Sequence, residues 1–294
     1  MLTITEAFRK FRSGLELTQG EQDDASRRQQ EIREVMAASF KIARDFLSGS
    51  YARWTKTKPL KDVDIFCVLH DDERATYRNN KAPGVLLDKV EKVLVEKYGR
   101  ENVKRQRRSI SVEFPIQEEE GRVMSFDVVP AFTKSSHYEI PDERNPKGWT
   151  ETDPEVHAEM ATAANKAFSG EWKGMVRMLK AWNRENGSSV KPSFLLEVMA
   201  HALLRPPFQT DYPLEFMGFF ATAERRIHDT WEEPAKLGPP VSDSMDQVAR
   251  SNATAKFRDA QYAVRAAVNL SEKGQNGEAL RAYRKLFGPL FPLS

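Results

Sequence analysis

Residues 61–69, Lys-Asp-Val-Asp-Ile-Phe-Cys-Val-Leu, constrain this chain more than any other stretch. Val63, Ile65, Cys67 and Leu69 alternate with Asp62, Asp64, Phe66 and Val68. The apolar, β-rich composition predicts a strand. Residues two apart on a strand project to the same side, so Asp62 and Asp64 project together. Two carboxylates that close repel each other, and burying them unpaired is costly. A divalent cation removes the difficulty. Hard Mg²⁺ prefers oxygen ligands and is commonly held by one or two carboxylates plus substrate phosphates.

Two further pieces belong to this pattern. Asp127 lies in Ser125-Phe-Asp-Val-Val-Pro130, a second strand-like segment. On a neighbouring strand it completes a two-metal site of the kind that clamps the attacking and leaving oxygens of phosphoryl or nucleotidyl transfer. Gly49-Ser50 stands twelve residues before Asp62. Glycine lets backbone amides approach a phosphate, and a serine hydroxyl adds a donor. An Asp-x-Asp pair alone is more often a solvated strand edge, and a Gly-Ser dipeptide alone carries almost no information. The ordered set is far more specific.

Around this set the chain divides in two. Ile32, Met36, Phe40, Ala43 and Leu47 recur at helical spacing, which predicts a helix over 23–47 ending at Ser48-Gly49-Ser50. Val85, Leu86, Val90, Val93, Leu94 and Tyr98 predict another over 84–98, with Gly99 as its C-cap. Residues 109–116 and 122–129 read as a hairpin around an acidic turn at 117–121. From about residue 150 the pattern is helical. Asp153-Pro154 is a helix start, 171–186 is amphipathic around Trp172, Met175, Val176, Leu179 and Trp182, and 192–204 is a further helix. Nine of the 16 prolines fall from Pro192 onward, which predicts several short helices rather than a few long ones. The expected class is α+β, with a mixed-sheet domain over 1–140 and a helical lobe over 141–294.

Composition narrows the function classes. With 45 Lys and Arg against 43 Asp and Glu, the net charge of +2 argues against coating long nucleic acid by bulk electrostatics. The single cysteine, Cys67, excludes an internal disulfide and a cysteine zinc site, and reads as a small core residue. The five histidines are scattered without ligand spacing. No apolar run approaches a membrane span, and the N-terminal residues lack the apolar core of a secretory signal, so the expected compartment is the cytoplasm. The run Lys104-Arg-Gln-Arg-Arg108, before a strand, reads as a solvated loop rather than as a contact to phosphates or nucleic acid. Arg177, Lys180 and Arg184 form a basic helix stripe, solvated at the two arginines. Tyr51 has packing and nucleotide-proximal readings of equal weight.

The segment Leu47-Ser-Gly-Ser-Tyr-Ala-Arg-Trp-Thr-Lys-Thr-Lys-Pro-Leu-Lys-Asp-Val-Asp-Ile65 resembles the Gly-Ser…Asp-x-Asp signature of the polymerase-β-like nucleotidyltransferases. Met175-Val-Arg-Met-Leu-Lys-Ala-Trp182 followed by Lys191-Pro-Ser-Phe-Leu-Leu-Glu197 is similar to the branch holding 2′-5′ oligoadenylate synthase and cyclic GMP-AMP synthase. Within it the chain most resembles the bacterial CD-NTase family of anti-phage (CBASS) systems, over roughly residues 30–270.

That resemblance implies an active site in the cleft between a nucleotidyltransferase core and a helical lobe. It implies Gly49 and Ser50 on the donor triphosphate, and Asp62, Asp64 and Asp127 as the catalytic and metal triad, with Asp127 helping to activate the acceptor hydroxyl. It implies Lys180 and Ser193 on the triphosphate, Phe194 stacking on a base, and two Mg²⁺ ions, with Mn²⁺ able to replace them. The implied reaction joins NTPs, ATP among them, into a cyclic di- or trinucleotide second messenger with release of pyrophosphate. Many relatives need an activating protein partner. The expected form is a monomer that needs neither membrane nor long nucleic acid. A tRNA- or polyA-type enzyme, a protein- or small-molecule-modifying nucleotidyltransferase, and a nucleotide-binding pseudoenzyme remain open alternatives.

Overall fold

The computed structural model describes residues 2–58, 60–115 and 123–294. The first half of the chain forms α1 (Ile4–Gly14), α2 (Gln19–Ser39), β1 (Ile42–Ser48), α3 (Gly49–Ala52), β2 (Asp62–Leu69), α4 (Arg74–Tyr77) and α5 (Pro83–Tyr98). Then come β3 (Val103–Arg105), β4 (Ile110–Pro115), β5 (Val123–Lys134), β6 (His137–Pro141) and β7 (Trp149–Thr152). The rest is helical: α6 (Pro154–Ala167), α7 (Trp172–Glu185), α8 (Phe194–Leu203), α9 (Tyr212–Arg226), α10 (Gln247–Glu272) and α11 (Asn276–Phe287). Two compact units result. A sheet unit comprises Leu17–Trp54 and Lys58–Ala158, and a helical unit comprises Met1–Glu16, Thr55–Thr57 and Glu159–Ser294. The division falls inside α6, because β6 and β7 extend the sheet past residue 140. The turn expected at 117–121 lies outside the described residues.

In the sheet unit the strand order is β1-β2-β5-β4-β3, with β6 pairing with β5 and β7 with β6. β2 and β5 run parallel, while β1 with β2 and β4 with β5 are antiparallel, so the sheet is mixed as expected. One face carries Val63, Ile65, Cys67 and Leu69 with Val112, Phe126 and Val128, in one apolar cluster with Ile32 and Met36 of α2 and Leu86, Val90 and Leu94 of α5. The alternation in 61–69 anticipates this face. Burial pushes the Cys67 thiol up to about 12, so it is an inert core thiol. The opposite face is apolar only at one end, where Phe66, Val68, Val129, Ala131, Tyr138 and Ile140 cluster.

The helix expected over 23–47 is corrected. It ends at Ser39, Phe40 is extended at φ −136° and ψ 149°, and 42–48 is an edge strand. Phe46 lies opposite Phe66, the rings stacked 5.3 Å apart, and Leu47 lies opposite Ile65. Pairing with β2 overrides a helical spacing that continued past Phe40 by coincidence. β5 also exceeds its expected end at residue 129, because Phe132, Thr133 and Lys134 pair with β6.

The solvated-loop reading of 104–108 holds in part: Lys104, Gln106 and Arg107 are exposed, but Lys104 and Arg105 lie on β3 and all four cations are ion-paired. Lys104 pairs with Glu113 at 2.5 Å, and Arg105 reaches Asp88 at 2.8 Å, Glu91 at 3.1 Å and Glu143 at 2.7 Å. Arg107 and Arg108 both hold Asp142, which is fully buried. Arg107 Nη2, Arg108 Nε and Thr150 Oγ1 each donate to Asp142 Oδ2 at 2.8 Å, and the Arg144 N–H donates to Oδ1 at 3.1 Å.

The helical unit is built on aromatic side chains. Phe8 and Phe11 of α1 join Trp172, Trp182, Phe216, Phe220, Phe257 and Phe287 in one core. Trp182 stacks on Phe257 at 5.2 Å, a core role as expected. The helix α1 begins with a capping box: Thr3 Oγ1 accepts from the Glu6 N–H at 3.2 Å, and the Thr3 N–H donates to Glu6 Oε2 at 2.8 Å. The expectation of only short helices in this half is corrected by the 26 residues of α10. Asp246 caps its start, accepting from the Ala249 N–H at 2.8 Å, and 247–272 holds no proline or glycine. Arg177 is buried and pairs with Glu16, so its solvated-face reading is also corrected. Among the described residues no helix is long and apolar enough to cross a membrane.

Burial alone would raise the Asp142 carboxyl, but its bonds from Arg107, Thr150, Arg108 and the Arg144 N–H outweigh that and hold it well below the ordinary carboxylate range. A depressed folded-state value means that the stabilisation is complete above the unfolded-state pKa of about 4 and fades as the pH falls through and below it. Asp142→Asn is expected to cost about 2 kcal/mol near neutral pH. It should also flatten the loss of stability between about pH 4 and pH 2. Chemical denaturation across that range checks both effects.

Candidate active site

The sheet unit gathers the acidic residues. β2 and β5 pair in parallel, with Asp64 opposite Asp127 and Asp62 opposite Ser125. Parallel neighbours lie about 4.8 Å apart, and facing residues share a side of the sheet. Asp62, Asp64 and Asp127 therefore lie on one face, at the end left open by the apolar cluster of Phe66, Val68 and Val129. Asp62 is exposed and Asp64 half-buried. Ser125 Oγ stands 3.1 Å from Asp62 Oδ1 and 3.0 Å from the Lys61 carbonyl. Gln106 Nε2 donates to Asp127 Oδ1 at 3.0 Å.

On the other side of β2, Ser48 of β1 pairs with Asp64, so the chain enters α3 beside that carboxylate. Gly49 has φ +65°. A Cβ there would lie 1.7 Å from Asp64 Oδ2, a separation no side chain can adopt. Glycine is thus required twice, by its backbone conformation and by the closeness of Asp64. Ser50 follows in the first turn of α3. Tyr51 is partly buried against the sheet core, and burial raises its hydroxyl pKa, which favours the packing reading.

In the helical unit Lys180 is buried on α7. Its Nζ donates to Glu197 Oε1 of α8 at 2.7 Å and lies 3.4 Å from Thr55 Oγ1. Glu197 is fully buried. Ser193, exposed, precedes α8 one turn before Glu197 and makes no side-chain capping bond to the helix, and Phe194 packs partly against the helical core. Arg184 reaches Thr57 Oγ1 at 3.2 Å.

Among the described residues, no three Asp, Glu, His or Cys side chains converge into a ready-made metal cage. The donor chemistry nevertheless fits a hard cation: Asp64 and Asp127 sit side by side in the sheet, with Asp62 two residues away on the same face. Mg²⁺ keeps several water or phosphate ligands and does not need an all-protein cage. Ser125 and Gln106 are site neighbours that sequence reasoning missed. Ser125 could have been found, because it precedes Asp127 by two and shares its face. Gln106 had no such signal, being one neutral residue inside a basic run.

Comparison with known proteins follows the same lines. The Second Messenger Oligonucleotide or Dinucleotide Synthetase (SMODS) domain matches residues 2–165. A probable cyclic nucleotide synthase of Bacillus cereus strain VD146 is 25% identical over 279 residues, covering 83% of this chain and 81% of that protein. A cyclic AMP-AMP-AMP synthase of an Acinetobacter species is 25% identical, covering 100% of this chain and 87% of that protein. The fold is similar to that of E. coli MS115-1 CdnC. Its structure with ATP gives a TM-score of 0.73 at 18% identity, covering 99% of both chains. Its structure in complex with HORMA-deltaN gives 0.72 at 19% identity, covering 98% of both.

Gly49→Ala forces either the backbone or Asp64 to move. It should lower stability by about 1–2 kcal/mol. The same change at Gly218, where a Cβ meets nothing within 4 Å, should not lower it. Thermal unfolding of the two variants decides this, and equal behaviour would remove the close approach of Gly49 to Asp64.

Proposed function

This chain belongs to the Second Messenger Oligonucleotide or Dinucleotide Synthetase family, within the CD-NTase nucleotidyltransferases, and on that premise we propose that it joins NTPs into a cyclic di- or trinucleotide second messenger, with release of pyrophosphate, in anti-phage signalling. The observation that carries the reading is the alignment of Asp62, Asp64 and Asp127 on one sheet face beside Gly49. The Acinetobacter relative, a cyclic AMP-AMP-AMP synthase, and the CdnC structure with ATP support ATP as a substrate. The CdnC complex with HORMA-deltaN supports association with a protein partner.

The residues divide the work. Gly49 admits the donor phosphates close to the backbone, and the Ser50 hydroxyl donates to them. Lys180 and Ser193 add contacts to the triphosphate. An ammonium carries three donors, so the Glu197 bond is compatible with a phosphate contact. Phe194 offers an aromatic face to a base. A ribose hydroxyl of the acceptor nucleotide attacks the α-phosphorus in line, its proton passes to Asp127, the bond to the β-phosphate oxygen breaks, and pyrophosphate leaves. Asp62, Asp64 and Asp127 would hold Mg²⁺ or Mn²⁺, which supplies electrostatic stabilisation of the charge that develops on the phosphoryl oxygens. A second round on the linear product closes a dinucleotide ring and a third closes a trinucleotide ring, each round forming one phosphodiester bond and releasing one pyrophosphate.

The purified protein, incubated with Mg²⁺ or Mn²⁺ and each NTP alone and in pairs, should give a phosphatase-resistant product. The Asp62→Asn/Asp64→Asn variant should lose about 100-fold or more of that activity. Full activity in this variant would overturn the reading. Ser193→Ala, at an exposed position, should raise KM for the donor NTP about threefold to tenfold, with kcat and Tm unchanged. An unchanged KM removes Ser193 from the donor site.

A further inference from the structure

The basic run 104–108 contains one uncharged residue, and that residue touches the candidate site. Lys104, Arg105, Arg107 and Arg108 each pair with acids of their own unit. A run so engaged is poorly placed to serve as a phosphate clamp, and its geometry suits another task. Gln106 Nε2 donates to Asp127 Oδ1 at 3.0 Å. Ser109 Oγ donates to Gln106 Oε1 at 3.1 Å, which sets which end of the amide faces Asp127. The Gln106 N–H donates to the Ser109 carbonyl at 2.9 Å, closing the turn between β3 and β4.

This turn is pinned on both sides of Gln106. Before it, Arg105 is held by Asp88, Glu91 and Glu143. After it, Arg107 and Arg108 converge on the fully buried Asp142, itself bound by Thr150 and the Arg144 N–H. Both arms therefore end on fixed parts of the sheet unit, and the amide is held where it reaches β5. The amide does not titrate, so it presents the same donor at any working pH.

A carboxylate turns about its terminal torsion with little preference. A hydrogen bond to one oxygen fixes its plane, and so fixes where both oxygens point. We infer that Gln106 is a positioning residue that orients the Asp127 carboxylate, with the Arg107/Arg108–Asp142 clamp as its support. The inference rests on the proposed role of Asp127. Groups that orient metal-binding side chains in this way typically contribute tenfold to hundredfold in metal affinity or rate.

Gln106 is exposed, so Gln106→Leu removes the donor and keeps the bulk without opening a core cavity. The full-length variant, wild type and Asp127→Asn are compared by Mn²⁺ titration, read by electron paramagnetic resonance with a non-hydrolysable ATP analogue. Product formation is measured alongside. Gln106→Leu is expected to weaken Mn²⁺ binding and lower kcat by about tenfold to hundredfold, leaving KM for ATP within about twofold and Tm unchanged. Wild-type Mn²⁺ affinity in Gln106→Leu, with Asp127→Asn impaired, overturns this inference alone. A loss confined to KM overturns it too, by making Gln106 a substrate contact. Equal Mn²⁺ affinity in Asp127→Asn and wild type overturns the reading of Asp127, and this inference with it.

Discussion

The parallel pairing of β2 with β5 is the contact on which the candidate site depends. It sets Asp64 beside Asp127, two residues far apart in sequence. The same register puts Phe66 and Val68 beside Val129 and Ala131, a buried cluster further along that face. A one-residue slip of β2 would send Asp62 and Asp64 into the core between the sheet and α2 and α5, and expose that strand's apolar residues. Burying two charges and exposing a row of core residues is so unfavourable that the register is strongly specified. Core packing and site assembly are therefore one constraint.

Local features adapt to that pairing. Gly49 exists where Asp64 leaves no room for a Cβ. Ser125 and Gln106 place hydrogen-bonding groups on Asp62 and Asp127 from the same sheet unit. Like charges held together need such groups, and a hard cation with its phosphates meets the same need more completely. The near-neutral net charge hides this unevenness: many cations of the sheet unit are spent on local acids, as with Arg107 and Arg108 on Asp142.

Much of this was legible in the sequence, for physical reasons. The strand at 61–69 alternates over 62–65, where only one face is buried, and turns continuously apolar from Ile65, where both are, and α5 and α7 carry clear apolar stripes. The glycine of the Gly-Ser…Asp-x-Asp order has a physical reason, since the geometry around Asp64 leaves no room for a Cβ at Gly49. The strand β1 was not legible, since its apolar residues continued the helical spacing of α2 and only pairing with β2 decides the matter. The ion pairing of the basic run was not legible because a charge in sequence does not reveal its partner: Asp142 lies 34 residues beyond Arg108. The length of α10 was obscured by prolines that in fact lie outside it. The Lys180–Glu197 pair joins two helices, and no spacing rule within one helix predicts it.

The most direct measurement is a crystal structure with Mn²⁺ and a non-hydrolysable NTP, using anomalous scattering to locate the metal. Anomalous peaks within coordination distance of Asp62, Asp64 and Asp127, with the nucleotide phosphates beside Gly49 and Ser50, are the predicted result. Nucleotide bound without metal at these carboxylates, or metal held elsewhere, would contradict it.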